Sequence, residues 1–297
     1  MNGVLVIDKP DGWTSFDVVA KLRGISREKK IGHTGTLDPM ATGVLPLLLG
    51  RAAKAADLLP DTSKVYCARF RLGEKTDTGD ITGTVTETSD ARPCADVLKK
   101  AMTAFTGVIR QVPPMYSAVS VGGQRLYTLA RQGKTVERES REVFIERLEL
   151  LAYTQEHGEG TLTVSCSKGT YIRTLIEDIA KHAGTVGVMS GLRRVSACGF
   201  TQEDALSINK AEELALAGLL QQRLRSVESL FEGYAQVQVS EAQARRFKNG
   251  GALDLQRLRG VDITGELPVK VHDPEGGFLG LGKLLGESLA VLKLFGI

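Results

Sequence analysis

The 297-residue chain contains no uninterrupted apolar run near the roughly 18 residues that a membrane span needs. Its opening, MNGVLVIDKP, lacks the basic start and long apolar stretch of a secretory leader, so a cytoplasmic location is expected. The four cysteines, Cys67, Cys94, Cys166 and Cys198, are scattered without a C-x-x-C pair, and the four histidines show no H-E-x-x-H spacing. Neither a zinc motif nor a disulfide framework is indicated, and no metal is expected. No phosphate-binding loop, dinucleotide fingerprint, internal repeat or low-complexity tract occurs. A formal net charge of +3 is too small to declare a nucleic-acid partner by itself.

What is present is a 42% apolar composition, enough for one large domain and a small one. The most purposeful stretch is 32–50, GHTGTLDPMATGVLPLLLG, where one carboxylate, Asp38, stands between a Gly/Thr-rich approach and a proline. Pro39 biases Asp38 away from the α region and Gly35 frees the backbone upstream, so Asp38 is expected on an extended or turn segment with its side chain presented. The apolar run 44–49 that follows reads as a buried strand bracing that loop. Taken alone, an Asp before Pro is commonly only a turn residue.

Along the chain, 4–7 reads as a strand and Thr14 or Ser15 as the cap of a helix stopping at Gly24. Residues 51–59 are Ala-rich and helical in pattern, ending at Pro60. The segment 64–72, KVYCARFRL, alternates as a half-buried strand that sends Tyr66 inward, where it could be an ordinary core aromatic. Residues 74–80 read as a hairpin turn; their carboxylates do not fall at the positions of a calcium loop. A helix is expected over 95–105. Residues 111–141 look like an insertion, with a Gly122-Gly123 turn, a short helix at 126–131 and a basic loop. From Arg110 to Arg141 six basic residues face two acidic ones, interleaved with Tyr116 and Tyr127, a mixture that suits a phosphate-bearing partner.

Strands are expected over 143–153 and 161–167, then a helix whose apolar stripe is Ile172, Leu175, Ile176 and Ile179. Arg173 lies off that stripe, spaced to pair with Glu177 one turn on. Helical patterns over 206–231 should close the large domain. Beyond Tyr234 a helix capped by Ser240 precedes short strands at 267–272, 278–281 and 289–295.

GHTGTLDPMATG closely resembles the signature loop of the pseudouridine synthases, and residues 3 to about 200 resemble the TruB type, which acts on uridine 55 of tRNA. VIDKPDGWTS, KVYCARFRLGEKTDTGDITG, PPMYSAVSVGGQRLYTLARQGKTVER, CSKGTYIRTLIEDIA and GLRR each resemble a further motif of that family, in order. Gly122 replaces an asparagine common there. The resemblance implies an α+β fold with a mixed-sheet catalytic domain at 1–234, a thumb-like RNA-gripping insert at about 110–141, and a small β-rich PUA-like RNA-binding domain at 235–297. Arg245, Arg246 and Lys248 are the phosphate contacts expected on the last.

The resemblance also assigns roles. Asp38 is the nucleophile, Arg173 its ion-pair partner, and Tyr66 lies against the target base. Tyr171 and Leu192 complete the base pocket, His33 fills the space left by the flipped nucleotide, and Lys9 lies beside the site. Pseudouridine formation breaks the bond from ribose carbon 1′ to base N1 and rejoins the base through carbon 5, without redox change, so no cofactor is expected. Asp38 could attack carbon 1′ or uracil carbon 6, or take a proton from carbon 2′; Tyr66 could take the carbon-5 proton. The expected partner is the T-arm stem-loop of tRNA, bound by a monomer with no obligatory protein partner. A guide-RNA-dependent relative and a non-catalytic RNA-binding protein are the alternatives.

Overall fold

The protein's structure is a computed structural model that describes residues 1–258 and 267–295. The strands of the first 201 residues are β1 (Gly3–Lys9), β2 (Ile31–His33), β3 (Ala41–Leu49), β4 (Lys64–Leu72), β5 (Glu74–Thr76), β6 (Val85–Thr88), β7 (Gly107–Gln111), β8 (Ser120–Val121), β9 (Gln124–Arg125), β10 (Arg141–Thr154), β11 (Glu159–Cys166), β12 (Gly187–Ala197) and β13 (Phe200–Thr201). The helices are α1 (Ser15–Ser26), α2 (Ala95–Thr103), α3 (Leu126–Arg131), α4 (Ile172–His182), α5 (Ile208–Leu216) and α6 (Glu241–Lys248). One sheet runs in the order β1-β3-β12-β4-β11-β10-β7, with β2 also on β3 and β13 on β12. Its β3–β12 pair is parallel and its other pairs antiparallel, so the sheet is mixed, in an α+β fold.

The middle of this sheet positions the site. β12 runs beside residues 41–43 of β3, and β2 beside residues 47–49, so the loop 34–40 sits where one neighbour of β3 replaces the other. Pro46, which has no N–H to give to a ladder, falls between those two paired stretches. Its carbonyl still accepts from Thr34 N–H at 3.2 Å. β3 is buried along almost its whole length, as a strand covered on both faces should be.

α1 begins with a reciprocal capping box between Thr14 and Asp17 and runs through Gly24 to Ser26, two residues past the expected stop. The Ala-rich run forms only a short 3-10 turn, Gly50–Ala55, rather than a longer helix. Its buried residues are Ala52 and Ala55, three apart, the spacing that a 3-10 turn stacks on one side. The expected hairpin is β5 with β6. In the insert, β8 and β9 form a second hairpin whose turn residues, Gly122 and Gly123, both have positive φ (57° and 81°). That is a conformation asparagine also tolerates, so the departure at Gly122 is conservative.

After α5 the chain makes two 3-10 turns, Leu220–Arg223 and Val227–Phe231. Residues 236–294 then supply a second, five-stranded sheet, β14 (Gln236–Gln238), β16 (Val269–His272), β17 (Phe278–Leu285), β18 (Ser288–Leu294) and β15 (Leu253–Asp254), in that spatial order. Of the expected unit 235–297, residues 259–266 and 296–297 lie outside the described residues. The two sheets share apolar packing: Phe231 is fully buried, with the rings of Phe295 and Phe278 at 5.4 and 6.0 Å. Glu228 adds polar contacts to His272 (2.9 Å) and Lys270 (3.4 Å). No helix among the described residues is long and apolar enough to cross a membrane.

Candidate active site

The loop 34–40 is tied down before it is chemically interesting. Asp38-Pro39-Met40-Ala41 closes a turn through Ala41 N–H to the Asp38 carbonyl at 3.0 Å, with proline at the position whose φ it presets. Leu37, whose side chain is buried, donates its N–H to Ser15 Oγ at 2.9 Å, and Pro39 O accepts from Gly12 N–H at 3.0 Å. Asp38 is therefore both a turn residue and a presented carboxylate, with 34% of its side chain exposed.

Arg173 comes from the first turn of α4, 135 residues away. Its Nε lies 3.1 Å from Asp38 Oδ2 and its Nη2 3.2 Å from Oδ1, a bidentate pair. Nη1 donates to the Thr78 carbonyl and Nη2 to the Tyr116 carbonyl, both at 2.8 Å, so the guanidinium is locked in orientation. Arg173 is 4% exposed. The alternative pairing with Glu177 does not form; Glu177 lies 3.9 Å from Lys75. Tyr171, at the helix start, is braced by the Gln111 amide, which accepts from its N–H at 3.0 Å and donates to its carbonyl at 3.3 Å.

Asp38, Tyr66, Tyr171, Arg173 and Leu192 line one cleft of about 260 Å³, closed further by residues 34–37, Lys64, Ser117, Ala118 and 168–170. Five separate parts of the chain converge there, bringing an acid and a guanidinium together with two tyrosine rings and Leu192. The family model described as TruB family pseudouridylate synthase (N terminal domain) matches residues 23–172, which contain both the Asp38 loop and Tyr66. A protein of Clostridium perfringens (strain 13 / Type A) named tRNA pseudouridine synthase B is 40% identical over 295 residues, covering 99% of each chain. The chain belongs to the TruB family of pseudouridylate synthases. A similarly named Limosilactobacillus reuteri relative is 42% identical over 265 residues, covering 87% of this chain and 88% of that one. Among solved structures, a chain of a Cbf5-Nop10-Gar1 complex matches with a TM-score of 0.75 at 25% identity, covering 99% of this chain and 85% of that one.

The electrostatics of this TruB-family cleft are set by burial. Desolvation pushes the Asp38 carboxyl up from its ordinary value; Arg173 opposes that and the nearby Asp80 reinforces it. Arg173 thus offsets part of the cost of burying the charge that it aims. Burial also raises the Tyr66 hydroxyl, with the Arg194 guanidinium acting the other way. Tyr66 is almost wholly buried on the inner face of β4.

Two expected residues stand just outside the lining. Lys9 is 0% exposed and does not line the cleft. Its amine donates to the carbonyls of Pro10 (2.8 Å), Pro39 (3.0 Å) and Trp13, and burial lowers it to about 8. It supports the Asp38 loop from beneath. His33, in β2, is also outside the lining; its buried Nδ1 has no partner among the described residues, and burial lowers its pKa. Sequence reasoning missed three contributors. Lys64 lines the cleft two residues before Tyr66, as strand period 2 would have suggested. Asp80, buried, is bonded by Thr78 and Thr82, and stood in a carboxylate-rich segment read only as a turn. Arg194 was hidden because a charged residue on a strand normally signals the solvent face.

Proposed function

We propose that the protein isomerises uridine to pseudouridine in tRNA, at position 55 of the T-arm loop, with Asp38 as nucleophile and without a cofactor. The observation that carries this reading is the bidentate Arg173–Asp38 pair opening into a cleft walled by Tyr66, Tyr171 and Leu192. The names of the full-length relatives supply tRNA as the substrate class. The target base is extruded from the folded arm, at an unstacking cost of a few kcal/mol. Stacking on Tyr66 returns roughly 1–3 kcal/mol of that. Asp38 then acts at the ribose or at the ring, where a carboxylate held by a fixed guanidinium can attack or take a proton without metal assistance.

In this reading residues 1–234 form the catalytic domain, 110–141 grip the RNA stem, and 235–297 are a PUA-like appendage to which exposed Arg245 and Lys248 bring charge. Arg246 spends its Nε on the Ala252 carbonyl at 2.7 Å and keeps its remaining donors for phosphate. Lys9 and His33 serve the substrate indirectly, by holding the loop and the space beside it. The enzyme works in the cytoplasm as a monomer with no obligatory protein partner.

The test is incubation of purified protein with an unmodified tRNA T-arm stem-loop, followed by mapping of the isomerised position. Pseudouridine at position 55 is expected from the parent, and none from Asp38→Asn, which still binds the RNA. Modification elsewhere, or an active Asp38→Asn, would sink the reading.

A further inference from the structure

Adjacent arginines in β12 have opposite surroundings. Arg193 forks onto Asp8 at 2.8 and 3.1 Å, with 38% of its side chain exposed. Arg194 is 0% exposed and has no carboxylate within ion-pair distance among the described residues. Its donors go to carbonyls instead: Nε to Val44 at 2.7 Å and Nη2 to Gly35 at 3.2 Å, while Nη1 makes no hydrogen bond within normal distance among the described residues and the guanidinium faces the Tyr66 hydroxyl, whose pKa it acts to lower. A buried guanidinium without a counter-ion is costly, and packing alone is a poor reason to keep one.

The two accepting carbonyls bracket the segment that carries Asp38, one three residues before it and the other six after. The backbone makes the same clasp. Arg194 is the parallel partner of Gly43 in β3 and the antiparallel partner of Tyr66 in β4. Gly43 has φ +104°, and a Cβ there would stand 2.2 Å from the Arg194 carbonyl oxygen, so only glycine lets the strands come this close. Direct cross-strand pairing puts the Arg194 and Tyr66 side chains on one face.

We propose that Arg194 is a positioning residue for the reaction: from behind the Asp38 loop it fixes both loop ends to β12 and so sets where the carboxylate stands relative to Tyr66 and the bound nucleoside. It touches no substrate; the cleft is lined without it. This inference rests on Asp38 being the nucleophile. Geometry matters more than charge, because the guanidinium holds the two carbonyls through separate nitrogens at a fixed spacing, where a lysine offers one point on a flexible stem.

The test compares parent, Arg194→Lys, Arg194→Gln, Gly35→Ala and Asp38→Asn on an unmodified tRNA T-arm stem-loop, with RNA affinity and single-turnover rate measured separately. Arg194→Gln is expected to slow the rate at least a hundredfold and Arg194→Lys to recover part of the loss, both with affinity within about twofold of the parent. Gly35→Ala leaves the arginine in place; its methyl would sit 3.1 Å from Lys64 Cε, a tight contact, and 3.8 Å from Arg194 Nη1, an ordinary one, so it crowds the loop end whose carbonyl the arginine holds. It is expected to slow the rate at least tenfold at unchanged affinity, and it decides the matter if Arg194→Gln does not fold. Folded Arg194→Gln or Gly35→Ala working within threefold of the parent overturns the inference, as does a loss confined to affinity. An active Asp38→Asn overturns the underlying reading instead. An inactive Asp38→Asn beside a parental Arg194→Gln overturns only the positioning role.

Discussion

Arg173 meets Asp38 side-on, Nε to Oδ2 at 3.1 Å and Nη2 to Oδ1 at 3.2 Å, while its outer donors hold the carbonyls of Thr78 and Tyr116. The contact that orients the acid is thus itself oriented by two other loops.

Arg173→Lys keeps a charge but loses the planar fork. A charge-assisted hydrogen bond is worth about 1.5–3 kcal/mol, so the single-turnover rate is expected to fall roughly ten- to a hundredfold, with RNA binding retained.

The acid limb of the rate profile should lie above the ordinary carboxylate value, because desolvation raises Asp38 and, with Asp38 as the proposed nucleophile, the reactive form is the anion. Arg173→Gln removes the opposing charge and should move that limb to still higher pH. The stability sign is opposite: with the folded value above the unfolded one, the Asp38 contribution to stability falls as pH rises through that interval. A limb that moves down, or stays fixed, in Arg173→Gln would count against this electrostatic account.

In the proposed reading Tyr66 is the stacking surface for the base, and burial raises its hydroxyl above the ordinary phenol value. Tyr66→Phe should leave T-arm affinity within about twofold. Tyr66→Ala removes the platform and should weaken occupancy of the cleft by roughly ten- to a hundredfold, read by fluorescence of a base analogue at the target position.

Lys9 gives a pH signature at the other end of the scale. Its amine is lowered to about 8 from 10.5 by burial, so between these values the unfolded chain carries a proton that the folded chain has lost. Its contribution to stability therefore rises with pH across that window. Thermal unfolding of the parent and Lys9→Met should show the parent gaining relative to the variant as pH is raised from below 8 to above 10.5.

Phe231 joins the two sheets, with Phe278, Phe295 and Tyr234 around its ring. Phe231→Ala should cost about 3–5 kcal/mol in denaturant unfolding and expose the C-terminal sheet to early proteolysis.

Much of this was legible from local rules. Asp38-Pro39 behaves as a turn because proline presets one dihedral, and residues 44–49 are buried because strands covered on both sides read as continuous apolar runs. The apolar stripe of α4 was equally plain. Local rules failed where a long side chain leaves its own element. Spacing put Arg173 beside Glu177, while the fold carries its guanidinium 135 residues away in sequence. The partners of Lys9 and Arg194 were not legible for a related reason: each is solvated by peptide carbonyls, several gathered from distant turns, and such an arrangement has no one-dimensional pattern. The alanine run misled because good helix formers bury here on a three-residue repeat.

One of the carbonyls that Arg173 holds belongs to Tyr116, inside the excursion between β7 and β10. That peptide oxygen makes the excursion a latch on the acid: displacing it strips an acceptor from the guanidinium and slackens the grip on Asp38. The excursion and the carboxylate thus share one guanidinium, Arg173, as their common point of attachment.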